Sequence, residues 1–547
     1  MLKTWGLTNF KSIYNMEKDL EFAPLTVLTG TNSSGKSAFI QSILLIAQTM
    51  QNKFPERALV LNGDFVDLGQ FDDIRSRPKP DSGDKHLLIG IRFNCECEGN
   101  IPRRQFILDN SISKDKEFLA KAELEDKIFE YEEYMESNGE SKDSIDDELE
   151  EMMYKEQYLI SFDLEFDSLH NEQFSPRIIS IKQKILNLKQ DEECTRSLHA
   201  KEDSTLINDK IEQDANETAY QLLKTDYDPV LGEFGSGDFL CHVRVVHFWP
   251  ERIDITNKLK KHFPEKDAWH KNQYNKYFEA CYREFGDFFS GFKYLGPLRY
   301  RESYYPFSKA SDPKDVGVKG EYTAAVFDVY KSKKVDYILP EFFNDIATEN
   351  IETVEKPLNE ALKDWFDYFG MDENIVSEIT RHGYLLMSNK INISHVGTGV
   401  SQVLPILITC LLADKGSTLL FEQPELHLHP RVQSRLADFF LSMALCEKQC
   451  IIETHSEYFI DKLRLRICQT YLNDNDKVKK NTKIYYFDKN EAETKITEID
   501  VNEYGDYSTW PAGFFDERQY NNEDILSTLN ERLLIQNNKN DMDNSDD

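Results

Sequence analysis

Hydrophobic and polar positions along the chain alternate between two regimes, and the boundaries between them define its organisation. Near the start, "LKTWGLTNFKSI" and "LEFAPLTVLTG" are short apolar, β-prone runs that predict strands, and a helix is expected from Lys36 to about Met50. "ALVLNGDFVDLGQFDDI" predicts a strand-and-turn region and "HLLIGIRFNCE" another strand, so residues 1–95 read as one α/β half-domain. From about Glu378 the same pattern returns, with two strands, a glycine-rich turn, a long apolar helix, and the strands "STLLFE" and "QCIIETH".

The intervening residues have a different character. Within 96–292, the segment from Lys114 to Gln157 is acidic and charge-dense, broken at Asn138-Gly139. It predicts either a short helical hairpin over 114–157 or a solvated acidic insert. Aromatic-rich helices are expected after it, above all in "AWHKNQYNKYFEACYREFGDFFSGF", which makes the insertion largely helical. A connecting segment, 293–377, contains the strand and turn of "FKYLGPLRYRESYYP" and the helix of "PLNEALKDWFDYFG". Residues 378–500 form the second lobe, 501–535 a C-terminal segment carrying "WPAGFFD", and 536–547 a disordered acidic tail. The expectation is an α/β domain written in two distant pieces.

Composition narrows the partners. With 97 acidic against 65 basic residues the formal net charge is −32, which disfavours the whole surface as a nucleic-acid binder. A local basic groove, or docking of a basic partner, remains open. The nine cysteines include no CxxC pair and are odd in number, so reduced thiols are expected rather than a disulfide framework or a zinc knuckle. No stretch approaches the roughly 20 apolar residues that span a bilayer, and the first residues read as a strand rather than a signal peptide. A cytoplasmic location is the expectation.

Four motifs carry chemistry. "GTNSSGKS" matches G-x-x-x-x-G-K-[ST], follows an apolar strand and opens a helix. Gly30, Asn32, Ser33, Ser34, Gly35, Lys36 and Ser37 would wrap phosphates, with Lys36 on the β- and γ-phosphates and Ser37 on Mg²⁺. "STLLFE" ends a buried strand in Glu422, an acid placed to hold the same metal. "VGTGVSQ" sets two glycines and a serine before a long apolar helix, which serves equally as a turn and cap or as an anion-facing helix start. "CIIETHSEYF" brings His455 to the sheet edge that Glu422 occupies. His427 and His429 are spaced to chelate, but two ligands without H-E-x-x-H read as a turn.

In this order the four motifs resemble the nucleotide-binding head of ABC-type ATPases, in the branch with SMC, RecF and OLD proteins. "LTNFKSI" and "PELHLHP" look like that branch in particular, and the resemblance covers roughly residues 1–95 and 378–490. It implies an SMC/RecF-like α/β head split in sequence, with ATP and Mg²⁺ as cofactors and Glu422, Gln423 and His455 at the catalytic centre. It also implies that Gly397, Thr398, Gly399, Ser401 and Gln402 form a signature motif contacting the γ-phosphate on another subunit. ATP would then join a head-to-head dimer or higher oligomer. Gln70, in "LGQFDDI", is the candidate Q-loop residue.

"YLGPLRYRE", "GVSQVLPIL", "FEQPELHLHP" and "YGDYSTWPAGFFDE" narrow the resemblance to the PtuA family, the ATPases of Septu anti-phage systems that also occur beside some retrons. That implies a separate partner, an HNH nuclease of the PtuB type, joined in retron-linked cases by a reverse transcriptase and msDNA. Nucleic acid would then be met through the complex, and no membrane is involved. A RecF-like repair ATPase that clamps DNA is the alternative. The sequence departs from the wider pattern in three places. It has no Toprim-like acid set after His455, no HNH set of its own, and Gln423 where a water-activating glutamate usually follows the metal-binding acid. An amide orients water but cannot accept its proton at neutral pH, so slow or negligible hydrolysis is expected.

Overall fold

The computed structural model describes residues 1–53, 57–77, 88–99, 156–167, 176–188, 192–200, 217–224, 239–255, 281–299, 315–344, 352–371, 374–395, 398–471, 476–490, 493–509 and 525–529. Among these, two large sheets organise the chain. The first is antiparallel, in the order β11-β10-β9-β8-β7-β6-β5-β1-β2, with β3 also on β1. Its strands run from β1 (Leu2–Phe10), β2 (Ile13–Asn15) and β3 (Leu20–Glu21) through β5 (Ile89–Gly99) and β6 (Glu156–Asp167) to β7 (Arg177–Asn187), β8 (Glu192–Ala200), β9 (Glu217–Lys224), β10 (Phe239–Val246) and β11 (Trp249–Ile255). The second runs β12-β18-β19-β4-β20-β21, parallel except for the last pair. It comprises β4 (Leu25–Gly30), β12 (Lys293–Leu295), β18 (Thr418–Glu422), β19 (Gln449–Glu453), β20 (Thr482–Asn490) and β21 (Glu493–Ile499).

In place of the largely helical insertion expected over 96–292, its described residues are mostly strands, with one helix at 281–290. The reason is legible in β6: Tyr158, Ile160, Phe162, Leu164 and Phe166 are buried while their neighbours are not, the period-2 signature of a sheet with one packed face. Charge density in the flanking sequence obscured that alternation. The sheet also continues through residue 95, because β5 pairs with β1 on one side and β6 on the other. The helix at 281–290 belongs to the expected aromatic stretch and lays Cys281, Phe285 and Phe289 on the sheet. Phe285 meets Phe93 at 6.3 Å, Phe162 at 5.4 Å and Trp249 at 5.2 Å between ring centroids. The acidic hairpin region up to residue 155 and the "WPAGFFD" segment lie outside the described residues.

The parallel sheet is buried on both faces, as a sheet with crossover helices must be. Leu28, Leu420, Ile451 and Phe487 join the core shared with the antiparallel sheet and the helix Lys36–Met50. Val27, Phe421, Ile452 and Tyr486 face the other core, built with the helices Leu358–Phe369, Thr398–Leu412, Pro430–Leu445 and Glu457–Tyr471. Gln449 fastens the two lobes: its Oε1 accepts from the Leu2 N–H at 2.8 Å and its Nε2 donates to the Leu2 carbonyl at 2.8 Å. An α/β head split in sequence is therefore the fold found, with strands contributed from both ends of the chain.

The helical layer is pinned by one buried acid. Asp438 is fully buried; Arg466 donates to it from Nε at 2.7 Å and Nη2 at 3.0 Å, and the Tyr368 hydroxyl donates at 2.6 Å. These residues tie together three helices whose apolar faces alone fix neither register nor angle. Arg466→Met would leave Asp438 with Tyr368 and a 3.5 Å contact to Lys462. It is expected to cost about 3 kcal/mol, because a buried carboxylate loses both guanidinium hydrogen bonds and keeps only a hydroxyl and a longer ammonium contact. A thermal unfolding midpoint equal to that of the native protein would contradict this.

Candidate functional site

The phosphate loop starts where β4 ends. Gly30 has φ 143° and lies so close to β20 that an added Cβ would fall 2.0 Å from the Phe487 carbonyl oxygen, which only glycine permits. Ser33 (φ 61°) and Gly35 (φ 103°) complete a turn that delivers the chain into the helix Lys36–Met50. No side chain caps that helix, so its first N–H groups are available to an anion. Asn32, Ser33 and Ser37 are exposed, whereas Ser34 is buried and donates to the Thr31 carbonyl at 2.8 Å. Lys36 is buried, and its Nζ donates to the carbonyls of Gly30 at 2.9 Å and Thr31 at 2.7 Å. Burial holds its pKa below the usual lysine value, opposed by the charge of Glu453.

The acids arrive on the neighbouring strands. Parallel register places Glu422, the last residue of β18, beside Glu453, the last residue of β19. Their carboxyl groups act electrostatically on each other, and the Tyr294 hydroxyl of β12 donates to Glu422 Oε1 at 2.7 Å. Burial pushes both carboxyls above their ordinary range, and Glu453 is raised further by the charge of Glu422. Lys36 acts electrostatically on both Glu453 and His455, which brings the phosphate loop, the acid pair and the histidine to one sheet edge. His455 is exposed; desolvation of its ring and the Lys36 charge lower its pKa.

Gln423 adopts a left-handed backbone, φ 43°, and its N–H donates to the Glu453 carbonyl at 2.8 Å. That turn is clamped by Arg299, which is 7% exposed. Its Nη1 donates to the carbonyls of Gln423 at 3.1 Å and Pro297 at 2.9 Å, and its Nη2 to that of Glu422 at 3.1 Å. Burial lowers the Arg299 pKa to about 10, with Glu425 the largest opposing influence. Glu425 does not swing away after Pro424. It is buried, and its Oε1 accepts from the His455 N–H at 2.7 Å.

The remaining candidates are placed differently. Gln70 caps the helix Phe71–Ile74 in a reciprocal pair with Asp73, and none of its described contacts reaches Lys36 or Glu422. Gly397 lies outside the described residues, and Thr398 opens the long helix. Ser401 and Gln402 are buried within their own chain at 2% and 5% exposure. Gly399 lies against Met371 and against Leu428 of the "HLHP" turn, so that turn packs beside the glycine of the same chain. His427 is exposed with φ 63°, and His429 is the N-cap of Pro430–Leu445, its Nδ1 accepting from the Arg431 N–H at 3.2 Å. Those geometries serve a turn and a cap.

Sequence reasoning missed Glu453, Tyr294 and Arg299. The first had a signal, since "STLLFE" and "QCIIE" are apolar runs ending alike in glutamate. The other two sit in "FKYLGPLRYRE", which shows a strand but not its pairing with β18.

Arg299 gives a direct test of how the turn is held. Arg299→Met is expected to cost about 2 kcal/mol, from lost charge-assisted hydrogen bonds to three carbonyls. Arg299→Lys should rescue little, because one ammonium cannot reproduce the planar fork. Full thermal stability in the lysine variant would contradict the assignment.

A search of curated proteins gave no match. Among solved structures the chain is similar to an SMC head bound to the C-winged helix domain of ScpA (10% identity, TM-score 0.33, covering 91% of this chain and 98% of that one). It is likewise similar to the SMC head domain from Thermotoga maritima (10%, 0.30, 91% and 99%). A third is an Smc head domain with an extended coiled coil bound to the C-terminal domain of ScpA derived from Pyrococcus furiosus (10%, 0.30, 91% and 96%). Residues 479–523 match a protein family of unknown function, DUF3696. Residues 1–460 match the model of the AAA ATPase domain, and the chain belongs to that family.

Proposed function

We propose that this chain is a nucleotide-operated regulatory subunit: it binds ATP with Mg²⁺, holds it between copies of itself, and hydrolyses it slowly. The observation that carries the reading is Gln423, whose backbone is fixed by Arg299 and the Glu453 carbonyl and whose side chain is an amide where a general base would be needed, beside a glycine-rich loop that opens a helix. The loop fits a triphosphate by its uncapped helix start, its left-handed turn and its inward lysine. Ser37 and Glu422 would hold Mg²⁺, which supplies charge neutralisation at the phosphates when bound. Lys36 would exchange its loop carbonyls for phosphate oxygens, and His455 would meet the terminal phosphate from the sheet edge. Gln423 can orient a water but cannot take its proton.

A subunit that binds ATP and keeps it is suited to restraining a partner until the nucleotide state changes. The likeness of four sequence stretches to the PtuA family supports an anti-phage setting, with a separate PtuB-type HNH nuclease as that partner and the cytoplasm as the location. In the same reading, Gly397 to Gln402 would complete the site of a second copy and Gln70 would sense the metal.

Gln423→Glu is expected to raise steady-state ATP turnover by about 10²- to 10⁴-fold, the usual worth of a general base. An unchanged rate would remove Gln423 as the cause of slow turnover. Mass measurement should show an ATP-dependent assembly for the native chain and none for Lys36→Ala; an assembly indifferent to both changes would sink the ATP-held oligomer. Co-purification with an HNH protein encoded next to the gene tests the partner.

A further inference from the structure

We infer that Glu453 is the second carboxylate of the nucleotide site, facing the divalent cation beside Glu422 from the adjoining strand, in place of the acid that position 423 lacks. The inference rests on the nucleotide-site reading above. Sheet order carries the geometry: β19 lies between β4, which ends in the phosphate loop, and β18, which ends in Glu422. Glu453 pairs in register with Glu422 on one side and Leu28 on the other. It is 3% exposed and within the electrostatic influence of the Glu422 carboxyl and of Lys36. Its carbonyl receives the Gln423 N–H, so the strand end is fixed against the turn that carries the amide.

Two buried carboxyls side by side are costly unless a proton or a cation lies between them. Of the nearby donors, Lys36 Nζ is turned to two loop carbonyls and the Arg299 Nη atoms to three others, while the buried Arg299 Nε has no hydrogen-bond partner. An independent observation points the same way. Glu425, 8% exposed, has an Oε2 with no hydrogen-bond partner, and its charge raises the pKa of Glu453. Three acids therefore converge on a place supplied with too few cations. Among the described residues no group of three or more His, Cys, Asp or Glu side chains is arranged to hold a metal by itself. A magnesium site needs only one or two carboxylates and completes its octahedron with water and phosphate oxygens.

The test is titration of the full chain with a fluorescent ATP analogue, with and without Mg²⁺, for native protein, Glu453→Gln and Glu453→Asp. The native chain should bind more tightly with Mg²⁺. Glu453→Gln should lose about tenfold or more of that gain, while its Mg²⁺-free binding stays equal or tightens, because an acid beside Lys36 has gone. Glu453→Asp, which keeps the charge, should retain part of the gain and provides the readout if the amide variant folds poorly. A glutamine variant with the native Mg²⁺ dependence, or an aspartate variant with none, would overturn the role of Glu453 and leave the nucleotide site standing. Failure of the native chain to bind the analogue would instead overturn the site reading itself.

Discussion

Everything at this site depends on three parallel strands ending at one edge. β18, β19 and β4 lie side by side in register, so the residue that closes each strand is delivered to the same few ångströms: Glu422, Glu453 and the loop that begins at Gly30. Hydrogen bonding along the strands permits no other arrangement, since a slip of one residue would exchange the two buried faces of the sheet. Carboxyls are thereby forced together in a poorly solvated place, and the surroundings are built to tolerate them. Tyr294 donates to one acid, Lys36 offsets the other, and Arg299 turns its fork on the backbone that connects them to Gln423. Under the proposed function, charge concentrated before ligand arrives would be a resource, because MgATP would bring both a cation for the acids and an anion for Lys36.

The same constraint explains why the two lobes behave as one body. β4 comes from the first thirty residues and its neighbours from beyond residue 417, yet each contributes to both cores. Gln449 completes the join with paired hydrogen bonds to Leu2, fully buried and 447 positions away in sequence. On the helical side, Asp438 plays the corresponding part for three helices. The stretch 479–509 is integral to the head, because β20 is the immediate partner of β4 and the Thr494 hydroxyl of β21 stands against Gly35.

Local signals made some of this legible in the sequence and left the rest hidden. The phosphate loop, the strand ending in Glu422 and the helix closed by Gly370 at φ 76° are written in contiguous residues, and the structure has them there. Glu453 was equally local but was overshadowed by His455 two positions on. Arg299 and Tyr294 could not be read, since their meaning comes from pairing across more than a hundred residues. The strand-rich insertion was hidden for a different reason: β6 alternates cleanly, but the charged half of its alternation resembles the acidic sequence before it. In β7 the alternation also changes phase, near the register shift between Glu165 and Phe166 in its pairing with β6.

The central claim is that the site keeps its nucleotide. It is tested most directly by loading the native chain with ATP and Mg²⁺, removing free nucleotide, and identifying what remains bound after acid quenching at successive times. The account predicts intact ATP, converting to ADP at a rate on the order of 10⁻³ s⁻¹ or slower, as for other sites in which a glutamine orients the water. Complete conversion to ADP within seconds would contradict it.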